Sequence, residues 1–261
     1  MHPIALNLGR FALHSYGIML ALGFMLGLWN ASRRARRAGL PAEAVMDAGP
    51  WLILGIVAGA RALYVATNWR KQFAEGSLLD IFAVWQGGLV FYGGLAGAVL
   101  TFVLYARARK FPLWKLADIF APSIALGYVS GRIGCLLNGC CYGRACHLPW
   151  AIRFPEGNVA HAPAFPVHPT QLYESFLNLG LFAALAWFYP RRRFDGQVFA
   201  FYLIGYAVLR SFVECFRGDY HRDEYVAGCF TPGQVTSAFV LVAGLLLLWL
   251  LPRPAQGQSH P

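Results

Sequence analysis

Charge is scarce in this chain: Asp, Glu, Lys and Arg make up only 13% of its 261 residues, where an average soluble domain carries roughly a quarter. With 57% of the residues hydrophobic, that deficit excludes an ordinary water-soluble domain and makes lipid the main solvent. Acidic residues are scarcer still, 12 against 22 Lys and Arg, for a formal net charge of +10. Such an excess suits nucleic acid. The basic residues, however, fall in short clusters between apolar runs of about 18 or more residues, the length that spans a bilayer. Membrane orientation accounts for that pattern, and no nucleic-acid partner is expected. Internal repeats and paired broken helices are also missing, which argues against a transporter.

What is present is a series of seven apolar runs, at about 11–29, 44–67, 88–106, 117–137, 171–189, 197–215 and 233–251. The first resembles a signal peptide in length. A lone Arg10 precedes it, and Arg33, Arg34, Arg36 and Arg37 follow. That charge order predicts a retained helix with its N-terminus outside. An odd number of spans puts the C-terminus in the cytoplasm, together with the clusters at Arg107 to Lys110 and Arg191 to Arg193. The expected architecture is an all-α integral membrane protein of about seven transmembrane helices. Residues 1–251 form one polytopic domain and 252–261 a short cytoplasmic tail.

The longest external connection, about Asn138 to Thr170, carries Pro149, Pro155, Pro163, Pro166 and Pro169. It predicts an irregular cap over the outer face. At the third span, Gly93 and Gly97 stand at small-xxx-small spacing, which suits close helix packing. The doubled glycines there equally suit a re-entrant turn whose bare amides, Gly93 and Gly94 among them, meet an anion.

Each ionisable group inside a span costs about 2.5–3.5 kcal/mol on insertion scales. Arg61, Asp118, Arg132, Glu174, Arg210 and Glu214 nevertheless lie within the runs, with Arg217 at the edge of one. Structural ion pairing, with Asp118 or Glu174 neutralising an arginine, explains any one of them. Their grouping points further. Tyr206, Arg210, Glu214 and Arg217 stand at i, i+4, i+8 and i+11, along one helical face. Gln171, Glu174, Ser175 and Asn178 repeat the arrangement on the fifth span. Two such stripes predict a shared polar cavity, and converging arginines predict an anion, since the guanidinium fork matches phosphate and stays charged. In a membrane that anion is a phospholipid head group.

These residues resemble the prolipoprotein diacylglyceryl transferases of bacterial plasma membranes. The resemblance rests on Gly131-Arg-Ile-Gly-Cys-Leu-Leu-Asn-Gly-Cys-Cys-Tyr-Gly-Arg144, which keeps the Gly-Arg, Asn138-Gly139 and Gly143-Arg144 of the family signature. It extends to His14-Ser-Tyr-Gly17, Gly59-Ala-Arg61, Ala117-Asp118, His168-Pro-Thr-Gln-Leu-Tyr-Glu174, Arg210-Ser-Phe-Val-Glu-Cys-Phe-Arg217 and Thr231-Pro-Gly-Gln234. It implies transfer of the diacylglyceryl group of phosphatidylglycerol to the lipobox cysteine of a preprolipoprotein signal peptide, releasing glycerol phosphate. The implied place is the bacterial inner membrane, with the active site toward the outer face and no cofactor.

On that resemblance, Arg132, Arg210, Glu214 and Tyr92 are the catalytic candidates. Tyr16, Arg61, Gly93, Gly94, Asp118, Asn138, Glu174, Tyr206 and Arg217 are the candidates for binding the membrane lipid substrate. Tyr92 stands where the family has a histidine regarded as a base, and a phenol is a weaker candidate for that task than an imidazole. His14 and His168 are alternatives, with local hydrogen bonding as their expected role. Cys135 and Cys140 replace an asparagine and a glutamate of the signature. These departures keep open a non-catalytic lipid-binding relative and, less favourably, a thiol–disulfide oxidoreductase.

The six cysteines leave several readings open. An oxidising outer face favours a disulfide among Cys140, Cys141, Cys146 and Cys229. Free thiols, a catalytic thiol, and a metal site with His147 or His168 are the others. The spacing matches no familiar zinc pattern, so no metal is expected.

Overall fold

A computed structural model of the chain describes residues 4–8, 11–74, 77–155, 165–218 and 229–251. The predicted tail, 252–261, lies outside the described residues. So does part of the predicted cap.

Seven α-helices dominate: α1 (Ser15–Arg37), α2 (Ala42–Asn68), α3 (Phe91–Ala108), α4 (Leu113–Asn138), α5 (Thr170–Phe188), α6 (Gln197–Glu214) and α7 (Pro232–Leu250). Each falls on one of the seven apolar runs. The first run differs at its start, where Phe11–His14 is a strand, β2, paired antiparallel with β1 (Ile4–Leu8). Leu6, Asn7 and Leu8 oppose Leu13, Ala12 and Phe11. Hydropathy measures apolarity and not dihedral angle, so the run alone did not separate strand from helix.

Four helices are long and apolar enough to cross a membrane: α2 with its π-helical extension to Phe73, α3, α4 and α7. The other three bear the polar load. α5 and α6 carry the two polar stripes, and α1 ends in Arg34, Arg36 and Arg37, which suits the negative end of its dipole. Much of the apolar surface faces outward, as with Trp51, Leu54, Phe176, Phe239 and Trp249. In water that distribution is untenable; in lipid it is the expected one. This is a membrane protein.

Two compact units are present, Met1–Ala31 with Ala117–Pro261, and Ser32–Leu116. In the smaller unit α2 and α3 meet on glycine. A Cβ on Gly59 would lie 2.3 Å from the Gly93 carbonyl oxygen, and one on Gly97 would lie 2.1 Å from that of Gly55. Neither clash is relieved by a rotamer change, because the obstacle is backbone. Gly93 and Gly94 are thus buried in a helix seam, the packing alternative of the two that the spacing allowed.

In the larger unit α1 and α4 also touch through small residues: a Cβ on Gly23 would lie 2.8 Å from the Gly127 carbonyl oxygen. α5 packs on α6 and α6 on α7. α7 starts in a capping box, where Thr231 Oγ1 accepts from Gln234 N and Gln234 Oε1 accepts from Thr231 N. Pro232 at its first position gives up no needed hydrogen bond.

Candidate active site

The site is built by three helix ends of the larger unit. Tyr128 and Arg132 come from the last three turns of α4, Glu174 from the second turn of α5, and Tyr206, Arg210 and Glu214 from the last half of α6. Glu174 is at the centre, only 3% exposed. One of its oxygens, Oε2, is ion-paired with Arg132 Nε and accepts from Tyr128 Oη at 2.6 Å. The other, Oε1, accepts from Arg210 Nη1. A second Arg210 nitrogen, Nη2, lies 2.9 Å from Glu214 Oε2. One carboxylate thus ties two guanidinium groups together and fixes the distance between them.

Aromatic rings frame the pair. The Arg132 guanidinium lies 4.9 Å from the Tyr128 ring centre, and Nη2 donates to Tyr128 Oη at 2.5 Å. Tyr206 meets Tyr128 edge to face at 5.7 Å. These two tyrosines, with Glu174, Asn178 and Arg210, line a crevice between the helices. Ring faces give a cation a partner that lipid tails do not offer.

The α5 stripe is buried along its length, at Gln171, Glu174, Ser175 and Asn178. Asn178 Nδ2 bonds back to the Glu174 carbonyl at 2.8 Å, and Ser175 Oγ to that of Gln171 at 2.9 Å. The stripes therefore face protein, as the spacing predicted. Glu214, 1% exposed, is pressed by Gly233, where a Cβ would stand 2.4 Å from Oε1. Its contact with Arg210 is close, yet neither oxygen has a donor at hydrogen-bonding geometry among the described residues. We regard the contact as an ion pair through space.

Tyr128 was not among the predicted site residues. The signal was available: Tyr128–Arg132 repeats on α4 the i, i+4 spacing of Tyr206–Arg210 on α6, and helices place such pairs on one face.

Two predicted binding residues have other partners. Asp118 accepts from the backbone N–H groups of Gly196 and Phe199, each at 2.8 Å, and lies 3.6 Å from Arg192. It caps the N-terminus of α6, whereas the arginine cluster is at the C-terminal end. Fourteen residues of helix, about 21 Å, separate Asp118 from Arg132. Helix polarity explains this placement: an anion at that end answers free N–H groups and the dipole.

Arg61, in the smaller unit, is buried and donates to backbone carbonyls of Ile81, Gly87, Gly88 and Asp80. Its guanidinium also lies near the Tyr64 and Phe73 rings. It organises the loop before α3. Tyr92 stands 53% exposed at the start of α3 in the same unit.

Around the arginine pair of the larger unit, the chain turns sharply after α4. Gly139 and Cys141 both have positive φ, 75° and 62°. Gln171 Nε2 donates to the Cys140 carbonyl and Thr170 Oγ1 to that of Cys141, both at 2.7 Å. Asn138 ends α4 just before this turn, and Arg217 is buried just after α6. Arg144 Nε donates to the Arg217 carbonyl at 3.0 Å, and Gly143 pairs with Arg217 in an antiparallel bridge. The described part of the predicted cap is therefore held by short bridges, including Ala145 and Ile152 with Val167.

His168 is engaged locally. Its Nδ1 is 3.1 Å from Tyr173 Oη, which accepts from Trp150 Nε1 at 2.8 Å. His14 lies exposed on β2. All six cysteines are free thiols, so the predicted disulfide is not formed. The Sγ atoms of Cys135, Cys140 and Cys141 nevertheless come within 4.8 Å of one another. The Cys140 thiol donates to the Cys135 carbonyl at 3.7 Å.

The sequence is similar to the phosphatidylglycerol–prolipoprotein diacylglyceryl transferase of Geobacillus kaustophilus, 38% identical over 259 residues, 96% of this chain and 92% of the relative. It is 36% identical to the Bordetella avium enzyme of that name over 98% of this chain and 97% of the relative. The Synechococcus elongatus enzyme is 33% identical over 95% and 87%. The family model for prolipoprotein diacylglyceryl transferase matches residues 3–250, nearly the whole chain and every helix described above, so this protein belongs to the prolipoprotein diacylglyceryl transferase family.

Proposed function

We propose that this protein transfers the diacylglyceryl group of phosphatidylglycerol to the cysteine thiol of a preprolipoprotein lipobox and releases glycerol phosphate. The observation that carries the reading is the pair of nearly buried arginines tied to one carboxylate. A guanidinium has five N–H donors. Among the described residues, the ion pairs and hydrogen bonds of Arg132 engage two, and those of Arg210 two. The remaining donors suit phosphate oxygens.

The reaction breaks a carbon–oxygen bond and leaves the electron pair on a phosphate oxygen. Fixed cations at that oxygen stabilise the charge as it develops, and being fixed they need no reorganisation. Glu174 supplies the fixing for both arginines and Glu214 adds to it for Arg210. Tyr16, Asn138, Tyr206 and Arg217 surround the head group in this reading. Arg61, Asp118, Gly93 and Gly94 hold the scaffold.

The reading includes a topology. Seven helices cross the bacterial inner membrane, with the N-terminus outside and the C-terminus in the cytoplasm. Arg132, Glu174 and Arg210 then all stand near the ends of their helices that adjoin the 138–170 connection, on the outer side. There they reach lipid head groups of the outer leaflet and secreted acceptors. Purified protein given phosphatidylglycerol and a lipobox peptide should yield lipidated peptide and glycerol phosphate. Binding of the lipid without any product would instead support the non-catalytic relative.

A further inference from the structure

The turn after α4 carries a second constellation. Cys135 is in the last turn of the helix, and the chain reverses at Gly139 so that Cys140 and Cys141 return beside it. The Cys140 amide donates to the Cys135 carbonyl at 3.1 Å, closing the reversal. Cys141 occupies the left-handed region without being glycine, a conformation that needs outside support. Thr170 and Gln171 give it by holding the carbonyls of Cys141 and Cys140.

The product is a set of three sulfurs mutually within 4.8 Å, all partly buried and none sealed off. A tetrahedral zinc thiolate has bonds of about 2.3 Å, which sets sulfur–sulfur edges of about 3.8 Å. Small side-chain rotations close the difference. Three thiolates around a divalent cation carry a net charge of −1, and Arg132, three residues before Cys135 on α4, stands on the same helical face to balance it. The thiol set and the arginine pair thus share Arg132.

We propose that Cys135, Cys140 and Cys141 bind a thiophilic divalent d10 cation of the Zn(II) class, and that its open fourth position takes the acceptor cysteine as a thiolate. This role rests on the transferase reading. Three protein ligands with one open position is the pattern of catalytic zinc, and a coordinated thiol is deprotonated outright. The balance is simple. The acceptor S–H gives its proton to water, its sulfur forms a bond to the glyceryl carbon, and the carbon–oxygen bond to phosphate breaks with its electrons on oxygen. Zinc stays Zn(II), and no separate protein base is needed.

The test uses the full-length protein in detergent, stripped by chelation and titrated with Co(II) as the spectroscopic probe. The expected result is a sulfur-to-Co(II) charge-transfer band saturating at one equivalent, weakened at least ~10-fold in apparent affinity by each of Cys135→Ser, Cys140→Ser and Cys141→Ser. Cys215→Ser, at an exposed thiol, leaves it unchanged. A lipobox peptide shifts the band and its cysteine-to-serine analogue does not. Chelation lowers turnover at least ~10-fold, Zn(II) restores it, and KM for phosphatidylglycerol holds. A band equally strong in the triple serine variant overturns the site, as does a disulfide linking two of the three in the isolated protein. A band blind to the peptide, or turnover indifferent to chelation, overturns the acceptor role. Metal-loaded protein with the expected band but no lipidated product overturns the transferase reading, and the acceptor role with it.

Discussion

Arg61 and the Arg132–Arg210 pair show two ways of keeping guanidinium groups in an apolar helix bundle. Arg61 is surrounded by backbone carbonyls of Asp80, Ile81, Gly87 and Gly88. Those acceptors are neutral, numerous and part of one loop, so the cation is spent on shaping that loop. Arg132 and Arg210 instead share the single carboxylate of Glu174. That arrangement satisfies the charge with few contacts and leaves N–H groups for an incoming anion. Burial of an arginine is thus no sign of function until its partners are known.

The contrast breaks most sharply at the shared pair. Arg132→Ala and Arg210→Ala should each cut transfer by a factor on the order of 10²–10³, the cost of removing one preorganised donor from a developing oxyanion. Both proteins should still insert in membranes. Near-normal turnover by either would end the phosphate assignment. Glu174→Ala should act mainly through stability, because it strands two buried cations. Its loss is expected at about 3–5 kcal/mol, read as a lower thermal midpoint in detergent, and Glu174→Gln should recover part of it.

Arg61→Ala should leave four carbonyls short of a donor, a cost of about 1–3 kcal/mol per buried unsatisfied group that water does not reach. Limited proteolysis should show faster cleavage in residues 77–90, while KM for phosphatidylglycerol stays within a few fold. A large rise in KM would erase the distinction between the two kinds of arginine. Asp118→Ala should cost about 0.5–2 kcal/mol, the range for losing a helix N-cap, with no specific effect on lipid affinity. Tyr92→Phe should have the smallest effect, within a few fold on turnover, since a metal-held thiolate requires no phenolate. A loss of 10² or more there would return the search for a base to the smaller unit.

Much of this was legible in residue order, and for identifiable reasons. Every predicted span contains a helix because twenty-odd apolar residues in lipid leave the backbone few other ways to satisfy itself. The stripes on α5 and α6 were visible as 3.6-residue periodicity, and Thr231-Pro-Gly-Gln234 reads directly as a capping box. The partners of Asp118 and Arg61 were not legible, because hydropathy marks a charge as costly without naming its partner. For Asp118 the partner is 78 residues away at Gly196, and for Arg61 about 20 to 27 residues away.

The cysteines mark the same boundary. Residues 135, 140 and 141 match no familiar metal spacing, because the spacing rules assume regular loops. Here a positive-φ glycine and a positive-φ cysteine fold the loop back.

Sequence by itself determined the solvent, the positions of the described helices and the family. Those depend on composition and local periodicity, which are properties of neighbouring residues. Tertiary structure decided which arginines share Glu174, which is committed to carbonyls, and which three thiols converge. Those depend on distances between helices, and a buried charge takes its role from whatever the packing brings within reach.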